Sequence, residues 1–191
     1  MKCVELITQD HVLLRRALDI LEAMINKMER DERIEIADAV GVLKFIKTFG
    51  IEYHQIMEES VVYPTLLRDA AQDTTVRNML FEHTEQQELI SAIEVGLQIR
   101  KGIQFVRYSN GLVMLMRAHL DREDAVLRSL GKTWLSEEED DVILSALAQR
   151  RKQVENFAIL STLECKYIPK QFGPPVKSQR PLIRAQGSTA F

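Results

Sequence analysis

The sequence predicts an all-α protein: an antiparallel up-down-up-down four-helix bundle with an additional C-terminal helix and an extended tail. Three observations predict it. Apolar residues recur at three- and four-residue intervals over four long stretches, which is helical spacing. No stretch shows the period-two alternation of strands, and no Asn-Gly or Asp-Gly turn joins two strand-like runs. The connections between the long stretches are short, which forces neighbouring helices to run antiparallel.

The first helix spans about Glu5 to Glu29, with Leu6, Leu14, Leu18, Leu21 and Ile25 on its apolar face, and RDER ends it. A second periodic segment runs from about Ile36 to Leu67, with Val40, Leu43, Ile46, Ile51, Val61 and Val62 on one side; Gly50 within it suggests a bend, and Pro64 lies near its end. DAAQDTT supplies turn residues, and Asp73 or Thr74 is the expected N-cap of a third helix reaching about Arg100, where KG closes it. The fourth runs from about Ile103 to Leu130 and stops at Gly131, a residue suited to the left-handed conformation past a helix end. In LSEEEDDVILSAL, Ser136 followed three residues later by Glu139 is a capping-box signature for a fifth helix extending to about Tyr167 and packing outside the bundle or against an end. Residues 1–168 thus form one domain. From Pro169 to residue 191 prolines and basic residues accumulate without an acid, the composition of an extended tail.

The balance of the chain narrows its class. A hydrophobic share of 46% and a charged share of 28% in 191 residues are those of one ordinary globular domain. The net charge of -3 offers no general attraction to nucleic acid. Glu5 and Asp10 interrupt what would be the apolar core of a signal peptide, and no run approaches membrane-spanning length. Cys3 and Cys165 are too far apart in sequence to form a CxxC pair or a cysteine zinc site. A reduced, cytoplasmic setting is the expectation.

The chain has four histidines, His11, His54, His83 and His119, one on each bundle helix and each on its apolar seam. His11 lies among Val4, Ile7, Leu14 and Leu18; His54 among Ile46, Ile51, Val61 and Val62; His83 among Val76, Met79, Leu80 and Ile90; His119 among Leu112, Leu115, Met116, Val126 and Leu127. All four are expected to point inward. Two carry a carboxylate one turn later, His54 with Glu58 and His119 with Glu123, and residues four apart stack on one helix face. An ionised glutamate is almost never buried without a partner. Four separate hydrogen-bond partners for the imidazoles and two more for the glutamates would be a purely structural account; a pair of cations satisfies all six groups at once. Imidazole with carboxylate suits iron, manganese or zinc. The expected metal ligands are therefore His11, His54, Glu58, His83, His119 and Glu123.

At H11, H54-QIM-E58, H83 and H119-LDR-E123, with EESVVYP and LSEEE flanking, the chain resembles the hemerythrin-like, or HHE cation-binding, family over roughly residues 5 to 145. The resemblance implies a four-helix bundle around a non-haem di-iron centre, bridged by Glu58 and Glu123, that meets oxygen, peroxide or nitric oxide. Two departures stand out. Oxygen carriers of the family have a fifth histidine one turn after the third, where this chain has Gln87, and an aspartate five residues after the last histidine, where it has Glu123 at four. Each metal would keep open positions, favouring redox chemistry or sensing over reversible oxygen storage. Tyr53, Tyr63, Glu59 and Glu82, adjacent in sequence to the expected ligands or close to them, are the candidates to replace the missing ligand; neighbours at i±1 face elsewhere on a straight helix, and only a distortion near Gly50 would swing Tyr53 inward. Two alternative functions remain: an iron donor for repair of iron-sulfur centres, with Cys3 as its only N-terminal cysteine, and a helical interaction module with a structural polar core. A ferritin-like site needs Glu-x-x-His pairs, whereas this chain reads His-x-x-x-Glu.

Overall fold

A computed structural model of the chain describes residues 1–129, 135–154 and 157–168. Helix α1 (Lys2–Glu29) is followed by α2 (Ile36–Phe45), which continues without interruption into a π-helical stretch, Ile46–Gln55, and after Ile56 and Met57 into a second, Glu58–Val62, before a short α3 (Tyr63–Leu66). A 3₁₀ turn, Ala70–Gln72, leads to α4 (Asp73–Gln98), then α5 (Gly102–Ser129), α6 (Glu137–Val154) and α7 (Ala158–Tyr167). The described residues contain no strand. The expected helix stop at Gly131 and the expected tail from Pro169 lie outside them.

The turns between the long helices are set by backbone geometry. Asp31 and Arg100 both adopt positive φ, 59° and 54°. Around them Glu32 N–H donates to Lys27 O at 2.9 Å and Lys101 N–H to Gly96 O at 3.0 Å, the closing bond of a Schellman motif. Left-handed backbone at a non-glycine residue costs about 1–2 kcal/mol, which the satisfied terminal carbonyls offset. The third helix starts differently from the sequence expectation. Its N-cap is Gln72, and Asp73 sits in the first turn, pairing with Arg77 one turn on. The Asn110–Gly111 dipeptide, a hairpin signal only between strands, lies inside α5.

Packing follows the apolar stripes, with two exceptions: Val40 and Leu80, expected on inner faces, are 49% and 38% exposed. α4 lies along α5, α5 along α1, and the π-helical stretch closes the bundle against both α1 and α4. α1 is buried through Leu14, Ala17, Leu18, Ile20, Leu21 and Met24, a band wider than one helix face. The reason is that α6 and α7 cover it from outside. The segment expected as one fifth helix is thus two, with the Ser136–Glu139 capping box in place: Ser136 N–H donates to Glu139 Oε2 at 2.9 Å and Glu139 N–H to Ser136 Oγ at 3.2 Å. Asp140 accepts the otherwise unpaired backbone N–H groups of Lys2 and Cys3 at the start of α1, at 2.9 and 3.0 Å. On α7, Glu164 takes Arg16 in a bidentate pair at 2.6 and 2.7 Å.

An aromatic cluster joins these layers. Phe49 is fully buried, stacks on Phe45 at 5.1 Å and meets Phe157 edge-on at 5.6 Å. Phe49→Ala is expected to destabilise the chain by about 3–5 kcal/mol, read as a lower denaturant midpoint in urea.

Candidate metal centre

The π-helical stretches explain why one segment presents so many polar groups to the interior. A π turn is wider than an α turn, and such bulges recur at functional sites. Hydroxyls back-bond to carbonyls one turn earlier in this segment, Thr48 to Lys44 O at 2.9 Å and Thr65 to Val61 O at 3.1 Å, contacts that tend to bend a helix. The shifted register leaves Tyr53, His54, Gln55, Glu58, Val62 and Tyr63 all buried, a set that a straight α-helix would spread around its circumference.

All six expected ligand residues come together. His11, His54, Glu58, His83, His119 and Glu123 are each at most 4% exposed. Ligand atoms of His11, His54, Glu58 and Glu123 lie within 4.8 Å of one another, as do those of Glu58, His83 and His119. Glu58 belongs to both groups: its Oε1 faces His54 Nε2 at 2.7 Å and His11 Nε2 at 3.8 Å, and its Oε2 faces His83 Nε2 at 3.4 Å. Glu123 Oε2 lies 3.4 Å from His11 Nε2 and 3.6 Å from His119 Nε2. The ring pairs are His11 with His54, centroids 4.9 Å apart, and His83 with His119, 4.8 Å apart.

Behind the imidazoles stands a ring of carboxylates that the sequence reading did not assign. His11 Nδ1 meets Asp124 Oδ1 at 2.7 Å, His83 Nδ1 meets Glu59 Oε1 at 2.7 Å, and His119 Nδ1 meets Glu82 Oε2 at 2.8 Å. His54 Nδ1 faces Asp10 Oδ2 at 3.8 Å. An Nδ1–H held by a carboxylate fixes the tautomer, so that Nε2 presents its lone pair to the interior. Glu59 and Glu82, considered from sequence as substitutes for a missing ligand, are therefore supports for His83 and His119. The available signal was only their adjacency in sequence to expected ligands, Glu59 to Glu58 and Glu82 to His83.

The tyrosines also depart from expectation. The backbone distorts near Gly50, but Tyr53 turns to Asp10, donating to Oδ2 at 2.8 Å. Tyr63 is the one at the centre, its hydroxyl 3.4 Å from both His83 Nε2 and Glu123 Oε1. Five residues separate it from Glu58, and the π-helical register between them brings both inward. Burial, with the charges of Glu58 and Glu123, pushes the Tyr63 phenol far up, so it stays protonated and donates. Gln87, in the place of the carrier's fifth histidine, is exposed. The buried side chain one turn after His83 is Gln86, which accepts from Gln55 Nε2 at 2.8 Å.

The buried carboxylates make this a centre that demands positive charge. His11 Nε2, His54 Nε2, both Glu58 oxygens and Glu123 Oε2 are buried without a hydrogen-bond partner, an arrangement that is rare because each such group loses its hydration uncompensated. Burial opposes protonation of His11, yet the carboxylates of Asp124, Glu123 and Glu58 facing its two nitrogens hold its pKa well above the imidazole value. Burial likewise opposes protonation of His54, and the Glu58 charge pushes it up to about 9. Burial favours a neutral Glu58, but the surrounding imidazoles, His54 first, hold it well below the usual carboxylate range. Orphaned Nε2 lone pairs and carboxylate oxygens aimed at each other fit a bound cation.

A helical bundle with buried imidazoles and carboxylates gathered at its middle defines a metal-binding class of protein. Residues 3–130 match the family model described as the hemerythrin HHE cation binding domain, and the chain belongs to that family. Comparison with curated proteins and with solved structures gave no match. The match spans α1 to α5, so α6 and α7 lie beyond it. Among the described residues no helix is long and apolar enough to cross a membrane.

The Gln55–Gln86 pair tests how the wall beside the centre is held. Gln55→Leu alone strands the Gln86 amide and is expected to cost about 1–3 kcal/mol, whereas adding Gln86→Leu recovers part of the loss. Urea unfolding of the two single variants and the double variant would reveal this as a favourable coupling energy.

Proposed function

We propose that this chain is a non-haem di-iron protein that binds, senses or reduces a small oxidant: oxygen, peroxide or nitric oxide. One observation carries the reading: four Nε2 atoms and two glutamates converge in the core, and five of those atoms have no other partner. In this assignment His11 and His54 would hold one ion and His83 and His119 the other, with Glu58 and Glu123 as carboxylate ligands available to both. Glu58 suits bridging because its two oxygens face different imidazole pairs. Two iron ions there would supply electrons and open coordination positions for the oxidant.

The chain's own residues do the rest. Asp124, Glu59 and Glu82 orient the imidazoles. Tyr63 offers a neutral hydroxyl beside the His83 half, placed to donate a hydrogen bond to Glu123 or to a small ligand. Apolar side chains around the site, Leu14, Ile7, Met57, Val62 and Met116 among them, are buried and keep bulk water from the reacting ion pair. A cytoplasmic setting remains the expectation.

Protein purified without added metal is expected to carry about two irons per chain by elemental analysis, with manganese or zinc as the alternative outcomes, and His54→Ala or His119→Ala is expected to lower that content by about half. Reduced, iron-loaded protein should change its visible spectrum on exposure to oxygen, peroxide or nitric oxide; silence toward all three would refute the reading.

The iron-donor alternative is less favoured because of Cys3. It is 1% exposed, and burial together with Asp140 pushes its thiol up to about 12, so it is neither accessible nor ionised near neutral pH. A thiol reagent at pH 8 is expected to modify only the exposed Cys165 quickly, with the second thiol appearing after denaturation.

A further inference from the structure

Arg151 lies on α6, outside the residues that match the family, yet it reaches the support behind the centre. Its Nε donates to Asp10 Oδ1 at 2.7 Å. Asp10 is fully buried on α1, one residue before His11. Its other oxygen accepts from Tyr53 at 2.8 Å and faces His54 Nδ1 at 3.8 Å. The guanidinium also stacks over Phe157, 5.4 Å from the ring centroid, just before α7. One carboxylate is thus held jointly by α1, the π-helical stretch and α6.

The four outer carboxylates are not equivalent. Those of His11, His83 and His119 make contacts of 2.7–2.8 Å with their imidazoles. Asp10 stands off from His54 because Tyr53 and Arg151 occupy its oxygens. Asp124 and Glu82 have arginines of their own, Arg15 and Arg122, both on helices of the matched bundle. Among the described residues, Asp10 alone of the four takes an arginine from the C-terminal helices.

We propose that Arg151 is a positioning residue for the cation held by His11 and His54: by clamping Asp10 it fixes the charge behind His54 and couples the C-terminal helix pair to one half of the metal centre. The inference rests on the di-metal reading above. A fully buried carboxylate that loses its cationic partner is strongly disfavoured in place, so it rotates or draws in water, and the His54 ring and the α1 backbone at His11 lose their reference. Loss of an outer support costs metal affinity about 10–100-fold. His83 and His119 rest instead on Glu59 and Glu82, carried by the second π-helical stretch and α4.

The test uses the full chain loaded anaerobically with iron(II) and follows release to a ferrous chelator. Arg151→Met is expected to release one ion about 10–100-fold faster and the other at the wild-type rate, and Arg151→Lys is expected to restore most of the difference. Asp10→Asn, which keeps the shape of the side chain, is expected to show the same single-ion effect and serves if Arg151→Met fails to fold. Arg16→Ala breaks the Arg16–Glu164 link between α1 and α7 without touching Asp10, and both ions should then leave at wild-type rates. Wild-type chain that takes up no iron overturns the metal reading itself. Two ions in the wild type that leave Arg151→Met at wild-type rates, or that are accelerated equally, overturn the coupling alone.

Discussion

Two glutamates and four imidazoles in the middle of an otherwise apolar bundle impose the constraint on which the other features depend. Desolvated carboxylate is tolerated only beside compensating positive charge. Glu58 is 1% exposed and Glu123 2%, and among the described residues the groups that face them are imidazole nitrogens and the Tyr63 hydroxyl rather than lysine or arginine. Protons on the imidazoles can neutralise such a centre, as the raised pKa values of His11, His54 and His83 indicate. Cations would do so without leaving Nε2 and carboxylate atoms orphaned, in keeping with the cation-binding family whose model the chain matches.

The constraint propagates outward in shells. Imidazoles aimed inward through Nε2 leave Nδ1 facing away, and each Nδ1 has a carboxylate within 3.8 Å. Those carboxylates are themselves partly or fully buried in three cases, and arginines answer them: Arg15 for Asp124, Arg122 for Glu82 and Arg151 for Asp10. Charge alternates from the centre to the surface. Glu59 is the exception, at 41% side-chain exposure, where an exposed carboxylate gains little from a cationic partner.

The π-helical stretches reconcile this polar demand with a hydrophobic core. The chain from Ile46 to Val62 must present His54 and Glu58 to the centre, Tyr53 to Asp10, Gln55 to Gln86 and Phe49 to the aromatic cluster. A regular 3.6-residue turn would aim some of these at solvent. Widening the turn costs backbone hydrogen-bond quality and gains a broader inner face. The same shift moves Tyr63 into reach of His83 and Glu123.

The sequence by itself determined the all-α class and placed the four histidines and two glutamates on inward faces, because helical periodicity and i,i+4 spacing are local rules. It also determined the Ser136–Glu139 cap. Only the tertiary structure decided which tyrosine faces the site, since Gly50 signals a distortion but not the π-turn register that the chain adopts around and beyond it. The outer carboxylates were likewise illegible: Asp10 and Asp124 are ordinary acids in their own helices and acquire meaning only from His54 and His11 on neighbouring ones. The same holds for Arg151, whose partner is 141 residues away and whose role depends on where α6 crosses the bundle.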